Sequence, residues 1–143
     1  MLVNDKHLTT IWYDKAKEVV KIIDQRLLPL ELKIVELKTL EDFCFAIKEM
    51  QVRGAPLIGV TAAYGMYAAS KTTKNFSELE KAGDSLKSTR PTAVNLSWAV
   101  DKIITEIKDM EKSSLQEIIL SIANEIRDQD IINCKAIGEN GSK

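Results

Sequence analysis

The chain has 143 residues, enough for one domain with a sizeable core. Hydrophobic residues make up 45% and charged residues 29%, as in an ordinary soluble globular protein. A net charge of −1 and a pI of about 5.9 exclude an electrostatic nucleic-acid binder, which needs a basic face.

The pattern at the start is β-rich. Residues 9–13 read Thr, Thr, Ile, Trp, Tyr, a strand-forming run. Residues 14–17 are polar and predict a turn. Residues 18–25 carry Val19, Val20, Ile22 and Ile23 and predict a second strand, which Pro29 breaks off. Residues 33–37, with Ile34, Val35 and Leu37, predict a third. Together they predict a small antiparallel meander that leans on the helices after it, since an isolated hairpin is marginal.

From Thr39 onward the period changes to that of helices. Thr39-x-x-Asp42 resembles a capping box, with Asp in place of Glu. Leu40, Phe43, Cys44, Ile47 and Met50 then form one apolar stripe. Cys44 on that stripe reads as a small core residue, because nothing nearby would lower its pKa. Next comes a run from Gly54 to Ser70 with no charged residue. Proline suits a first helical turn, so this helix starts at Ala55 or Pro56. It is too uniformly apolar for a surface and too short for a bilayer span of roughly 20 residues, so it is a central, buried helix. Ala55, Gly59 and Ala63 give it a smooth face that lets a neighbouring backbone come close.

Residues 71–75 form a polar loop. Ser77-x-x-Glu80 opens a third helix, with Leu79, Ala82 and Leu86 inward, ending before Pro91. Thr92 caps a fourth, whose stripe is Leu96, Ala99, Val100, Ile103, Ile107 and Met110. Ser114-x-x-Glu117 opens the last, with Leu115, Ile118, Ile119, Ile122 and Ile126 buried. It continues, with a break, from Ile131 to Ile137 and stops at Gly138. Residues 139–143 are polar and frayed.

Two corners share one logic. Arg53-Gly54-Ala55-Pro56 and Arg90-Pro91-Thr92-Ala93-Val94-Asn95 each place an arginine and a restricted turn before a helix N-terminus. A helix start offers free N–H groups and a positive dipole end, and arginine offers bidentate charged hydrogen bonds. If the two corners converge, they grip an anion such as phosphate. Plainer roles are open to each residue. Arg53 can pair with Glu49 one helical turn back, Arg90 can cap the preceding helix, and Asn95 can be an ordinary polar residue near a helix start. Trp98 reads as partly buried packing.

Cys44 and Cys134 are far apart, with no C-x-x-C, which predicts a reducing cytoplasm and no disulfide. The lone His7 has no Cys or His cluster beside it, so no metal site is expected. Residues 1–10 do not read as a signal peptide.

The words around the two corners resemble a known family. Arg53-Gly54-Ala55-Pro56-Leu57-Ile58-Gly59-Val60-Thr61-Ala62-Ala63-Tyr64-Gly65 and Arg90-Pro91-Thr92-Ala93-Val94-Asn95-Leu96-Ser97-Trp98-Ala99 are similar to two signatures of the methylthioribose-1-phosphate isomerases. Asp24-Gln25-Arg26-Leu27-Leu28-Pro29 looks like that family's hairpin motif, and Ala136-Ile137-Gly138-Glu139-Asn140-Gly141 like the motif closing its first domain. The wider superfamily includes the alpha, beta and delta subunits of eukaryotic translation initiation factor 2B. The resemblance implies aldose–ketose isomerisation of a sugar phosphate in methionine salvage, without metal or nucleotide cofactor. It implies that Arg53, Gly54, Ala55, Arg90 and Asn95 surround the substrate phosphate.

The family's catalytic cysteine follows the Ile-Gly motif, in a Thr-His-Cys-Asn-type segment that opens a Rossmann-like second domain, and its catalytic aspartate lies further on. This chain reaches Lys143 before either, and Cys134 precedes Ile137-Gly138. No residue is therefore assigned a catalytic role, although proton or hydride transfer between adjacent carbons needs a positioned group. The expected fold is α+β and mostly helical: a β meander over residues 1–38 and a helical bundle over 39–143, together one N-terminal domain without the Rossmann-like second one. The leading expectation is a truncated isomerase-like domain, a remnant or one half of a split enzyme, not catalytic alone. The alternative is a regulatory or binding protein of the initiation factor 2B subunit type. Expected partners are a sugar phosphate and either a second copy or a separate C-terminal half, with no nucleic acid and no membrane. Without its second domain the chain should expose an apolar patch and self-associate.

Overall fold

The computed structural model describes residues 2–3, 6–73, 75–110 and 115–142. A short hairpin of β1 (Leu2–Val3) and β2 (Lys6–His7) comes first. It was not expected, because two-residue strands leave no period in a sequence. The predicted meander comes next as β3 (Ile11–Asp14), β4 (Val19–Ile23) and β5 (Ile34–Leu37), antiparallel with β4 in the centre. Ile22 stands opposite Ile11 on one side and Val35 on the other. Glu18 turns the chain into β4 with a φ of 53°, so that strand begins one residue later than the apolar pattern suggests.

Among the described residues the helices are α1 (Leu40–Lys48), α2 (Ala55–Ser70), α3 (Phe76–Thr89), α4 (Val94–Ile107) and α5 (Leu115–Gly141). The α+β, mostly helical expectation holds. Helix α2 is the axis of the fold: residues 57–70 are all buried, and α1, α3, α4 and α5 pack around it. The absence of charge from Gly54 to Ser70 permits this, since every side of the helix meets apolar neighbours. The small-residue face lets α4 come close. A Cβ at Gly59 would lie 2.8 Å from the backbone oxygen of Asn95. The sheet leans on the same helix through Tyr13, whose hydroxyl is 3.1 Å from that of Tyr67, with the rings edge to face.

Several helix ends differ from expectation. The Thr39 capping box forms, with Asp42 N donating to Thr39 Oγ1 and Thr39 N donating to Asp42 Oδ2. Helix α1 then stops at Lys48, and Met50, at φ 58°, is exposed rather than part of the buried stripe. Helix α3 is capped by Asn75, not Ser77: Asn75 Oδ1 accepts from Glu78 N at 2.9 Å. The partly buried Phe76 packs on the core and draws the helix start forward. Helix α4 is not capped by Thr92. Its N-cap is Ala93, because Ala93 N closes a turn onto Arg90 O at 2.9 Å and moves the start by one residue. Met110 lies beyond the end of α4 and is exposed. The expected cap at Ser114 lies outside the described residues. Helix α5 runs through Gly138 without a break and ends at Gly141. One glycine costs a helix only about 1 kcal/mol, too little to stop it without a competing turn.

Candidate functional site

The packing of α4 on α2 brings the two corners together. Gly54, Ala55 and Ile58 from the start of α2 line one cleft of about 310 Å³ with Arg90, Thr92, Ala93 and Asn95 from the α3–α4 corner. Met50 closes its edge. Four of the five residues singled out in the sequence, Gly54, Ala55, Arg90 and Asn95, therefore share one cavity. Arg53, the fifth, is exposed beside Gly54 and is not among the lining residues. Among the described residues no ion pair joins it to Glu49. Helix α1 ends before Glu49, and the bend at Met50 removes the one-turn spacing such a pair needs. Gly54 has a φ of 96°, a conformation that side chains rarely adopt, so the corner depends on glycine there. Arg90 is the C-cap residue of α3 and half-buried.

The two helix starts facing this cleft differ from those of α1 and α3. Helices α1 and α3 carry side-chain caps and acidic residues in their first turns. Helices α2 and α4 have neither. The N–H groups of Ala55 and Leu57, and of Val94 and Asn95, thus have no acceptor within their own helices, and both positive dipole ends are uncompensated by a first-turn carboxylate.

A second cleft of about 320 Å³ shares Asn95 as a wall. It is lined mainly by apolar groups, among them Pro56 and Val60 of α2, Trp98 of α4, and Ile126 and Ile137 of α5. Trp98 was expected to be partly buried packing, yet it is 53% exposed, because α5 leaves the core beyond Ile126. Residues 131–141 are exposed, with Ile132 and Ile137 among them, and Val94 is 78% exposed nearby at the start of α4.

Two residues that mattered less in the sequence matter here. Asp24, 1% exposed, follows β4 and accepts hydrogen bonds from Arg26 Nε at 2.9 Å and Arg26 Nη2 at 2.7 Å. It also accepts from Gln51 Nε2 at 2.9 Å. The Arg26 bonds above all, and then the Gln51 bond, hold its carboxyl down at a pKa of about 2. The Arg26 guanidinium also lies 5.9 Å from the centre of the Phe45 ring. An Asp-x-Arg at a strand end signals a local ion pair, but its tie to an amide 27 positions on leaves no trace in the sequence. Tyr64 is fully buried and donates to Asn124 Oδ1 at 2.7 Å, tying α2 to α5. Burial pushes its pKa up to about 12.

No group of three or more His, Cys, Asp or Glu side chains is placed to hold a metal among the described residues. No helix among them is long and apolar enough to cross a membrane.

Comparison with known proteins places this geometry in context. The chain is 44% identical over its whole length to the methylthioribose-1-phosphate isomerase of Rhizobium meliloti (strain 1021), covering 39% of that protein. It is 49% identical over 130 residues to the protein of the same name from Acaryochloris marina (strain MBIC 11017), which takes in 85% of this chain and 37% of that one. The crystal structure of 5-methylthioribose 1-phosphate isomerase from Pyrococcus horikoshii OT3 matches with a TM-score of 0.76 and 37% identity, over 84% of this chain and 36% of that chain. The translation initiation factor eIF-2B subunit delta from A. fulgidus matches with a TM-score of 0.79 and 32% identity, over 87% and 38%. The chain thus spans about two fifths of the length of the curated relatives it matches. The sequence model of the Initiation factor 2 subunit family matches residues 51–143, from the turn before α2 to the end of α5, and on that match the chain belongs to this family.

Proposed function

We propose that this chain is the phosphate-gripping part of a cytoplasmic sugar-phosphate isomerase of the methylthioribose-1-phosphate type and does not catalyse isomerisation by itself. The observation that carries this reading is the single cleft shared by Gly54, Ala55, Arg90 and Asn95, onto which two helix starts without side-chain caps open. Arg53, exposed at its rim, closes over a bound phosphate from outside. The residues lining the cleft include no carboxylate, histidine or cysteine, so they supply charge and N–H donors but no group to move a proton. In this reading the chemistry belongs to the part of the relatives that this chain does not span. The exposed apolar side chains of Val94, Trp98 and Ile137 are what that part would cover, and on their own they draw two copies together.

A second reading, a non-catalytic regulatory subunit, is favoured by the eIF-2B subunit delta likeness, whose TM-score of 0.79 is slightly above that of the isomerase structure. Ligand binding separates the two. Inorganic phosphate or ribose 1-phosphate, at a hundred times its dissociation constant, should stabilise the fold by about 2.7 kcal/mol and raise Tm accordingly. Arg90→Ala and Arg53→Ala should each remove the rise. A rise that survives both substitutions places the anion elsewhere, and no rise at all in the wild type favours the regulatory reading.

A further inference from the structure

Between the two cleft-lining residues Met50 and Gly54 lies a residue that does not line the cleft but holds the turn from behind it through its hydrogen bonds. Gln51 is buried and fastened at several points. Its side chain donates to Asp24 Oδ2 at 2.9 Å. Its carbonyl accepts from Gln25 N at 2.9 Å, and its own N–H donates to Ala46 O at 2.9 Å. The end of β4 and the end of α1 therefore grip the turn that leads into α2. That turn needs a grip, because it passes through positive φ at Met50 (58°) and again at Gly54 (96°). An apolar residue at position 24 would fill space without fixing a direction. A carboxylate held in bidentate fashion by Arg26 presents one oxygen in a set place, and that oxygen is where Gln51 is anchored. Burying a carboxylate is costly unless its hydrogen bonds are satisfied, and here the donors are all present.

We propose that Asp24 is a positioning residue of the cleft: through Gln51 it fixes the turn over residues 50–54, and with it the direction in which the first N–H groups of α2 face the anion. This rests on the reading of the cleft as an anion site, and the test separates the two. Gln51→Met keeps the length of the side chain and leaves the Asp24–Arg26 pair in place, but it cuts the tether. Asp24→Asn keeps the shape and removes the charge that orders Arg26.

The measurements are amide chemical shifts and hydrogen exchange across residues 50–56, with titration of inorganic phosphate. In Gln51→Met the amides of Arg53, Gly54 and Ala55 should shift and exchange faster, while those of β3 and β4 keep their wild-type protection. Phosphate binding should weaken roughly tenfold, the scale of one hydrogen bond to a charged group. Asp24→Asn should move the same amides. Turn amides that keep their wild-type shifts and protection in Gln51→Met overturn the proposal. If the wild type binds no phosphate, the anion reading fails, and the turn amides still decide whether Asp24 positions the turn. If Asp24→Asn does not fold, Gln51→Met decides alone.

Discussion

Helix α4 can reach the start of α2 only because position 59 has no side chain, and the size of that dependence can be worked out. A Cβ built on Gly59 would stand 2.8 Å from Asn95 O, 3.3 Å from Asn95 C and 3.3 Å from Asn95 Cβ. The obstacle is helix backbone, which cannot swing aside like a flexible side chain, so Gly59→Ala forces the two helices apart. Overpacking of this kind costs about 1–3 kcal/mol. Alanine returns up to about 1 kcal/mol in helix propensity, which blurs a single measurement. Gly138→Ala in α5 removes the blur. It is also helical, and nothing lies within 4 Å of the added Cβ. The propensity term is then common to both variants, and the difference between them isolates the contact at about 1–3 kcal/mol. At about 3–4 °C per kcal/mol for a chain of this size, Gly59→Ala should melt several degrees below Gly138→Ala, with Gly138→Ala at or slightly above wild type. Thermal and urea unfolding followed by far-UV circular dichroism measure this. Equal shifts in the two variants would refute the close approach, and with it the geometry that brings Asn95 beside Gly54.

Acid should weaken the fold through Asp24. Its folded pKa is depressed from 3.8 to about 2, so its stabilising contribution is complete above the unfolded pKa and disappears as pH falls from about 4 toward 2. The shift corresponds to about 2 kcal/mol. Wild type should therefore lose stability more steeply than Asp24→Asn over that window, and parallel curves would show that the carboxylate is not held as described. Self-association is expected through the apolar side chains around Trp98 and Ile137. Sizing at rising concentration should show a dimer or larger species that Trp98→Glu disperses, whereas a monomer that fails to bind a hydrophobic dye would count against that surface.

Much of the fold was legible because it follows from local composition. The uncharged run from Gly54 to Ser70 reads as a central helix, and the β-branched clusters within Val19–Ile23 and Ile34–Leu37 read as short strands. What failed was placement at helix ends. The stripe through Met50 and the one through Met110 each extend one apolar residue too far, since an apolar residue just past a helix keeps the period without being in the helix. Ser77 and Asn75 are both competent caps. The choice between them is made by Phe76 settling on the core, a tertiary event that no local rule contains. Gly138 looked like a stop because glycine often follows a helix, but the structure offers the chain no turn to enter there.

The site divides along the same line. Each corner was visible, because a restricted turn before a helix start is a local signal. Their meeting was not, and it depends on one packing fact. Gly59, one helical turn beyond Ala55, lets the first turn of α4 lie against α2. Without that contact Asn95 would be separated from Ala55 by the width of a side chain, and the two uncapped helix starts would face solvent separately. The smooth face read from Ala55, Gly59 and Ala63 is therefore not only a packing feature. It is the device that turns two ordinary helix N-termini into one cleft. Arg53 shows the converse. Being exposed and absent from the residues that line the cleft, it takes no part in shaping it, so on the proposed reading removing it should affect binding and leave the fold intact.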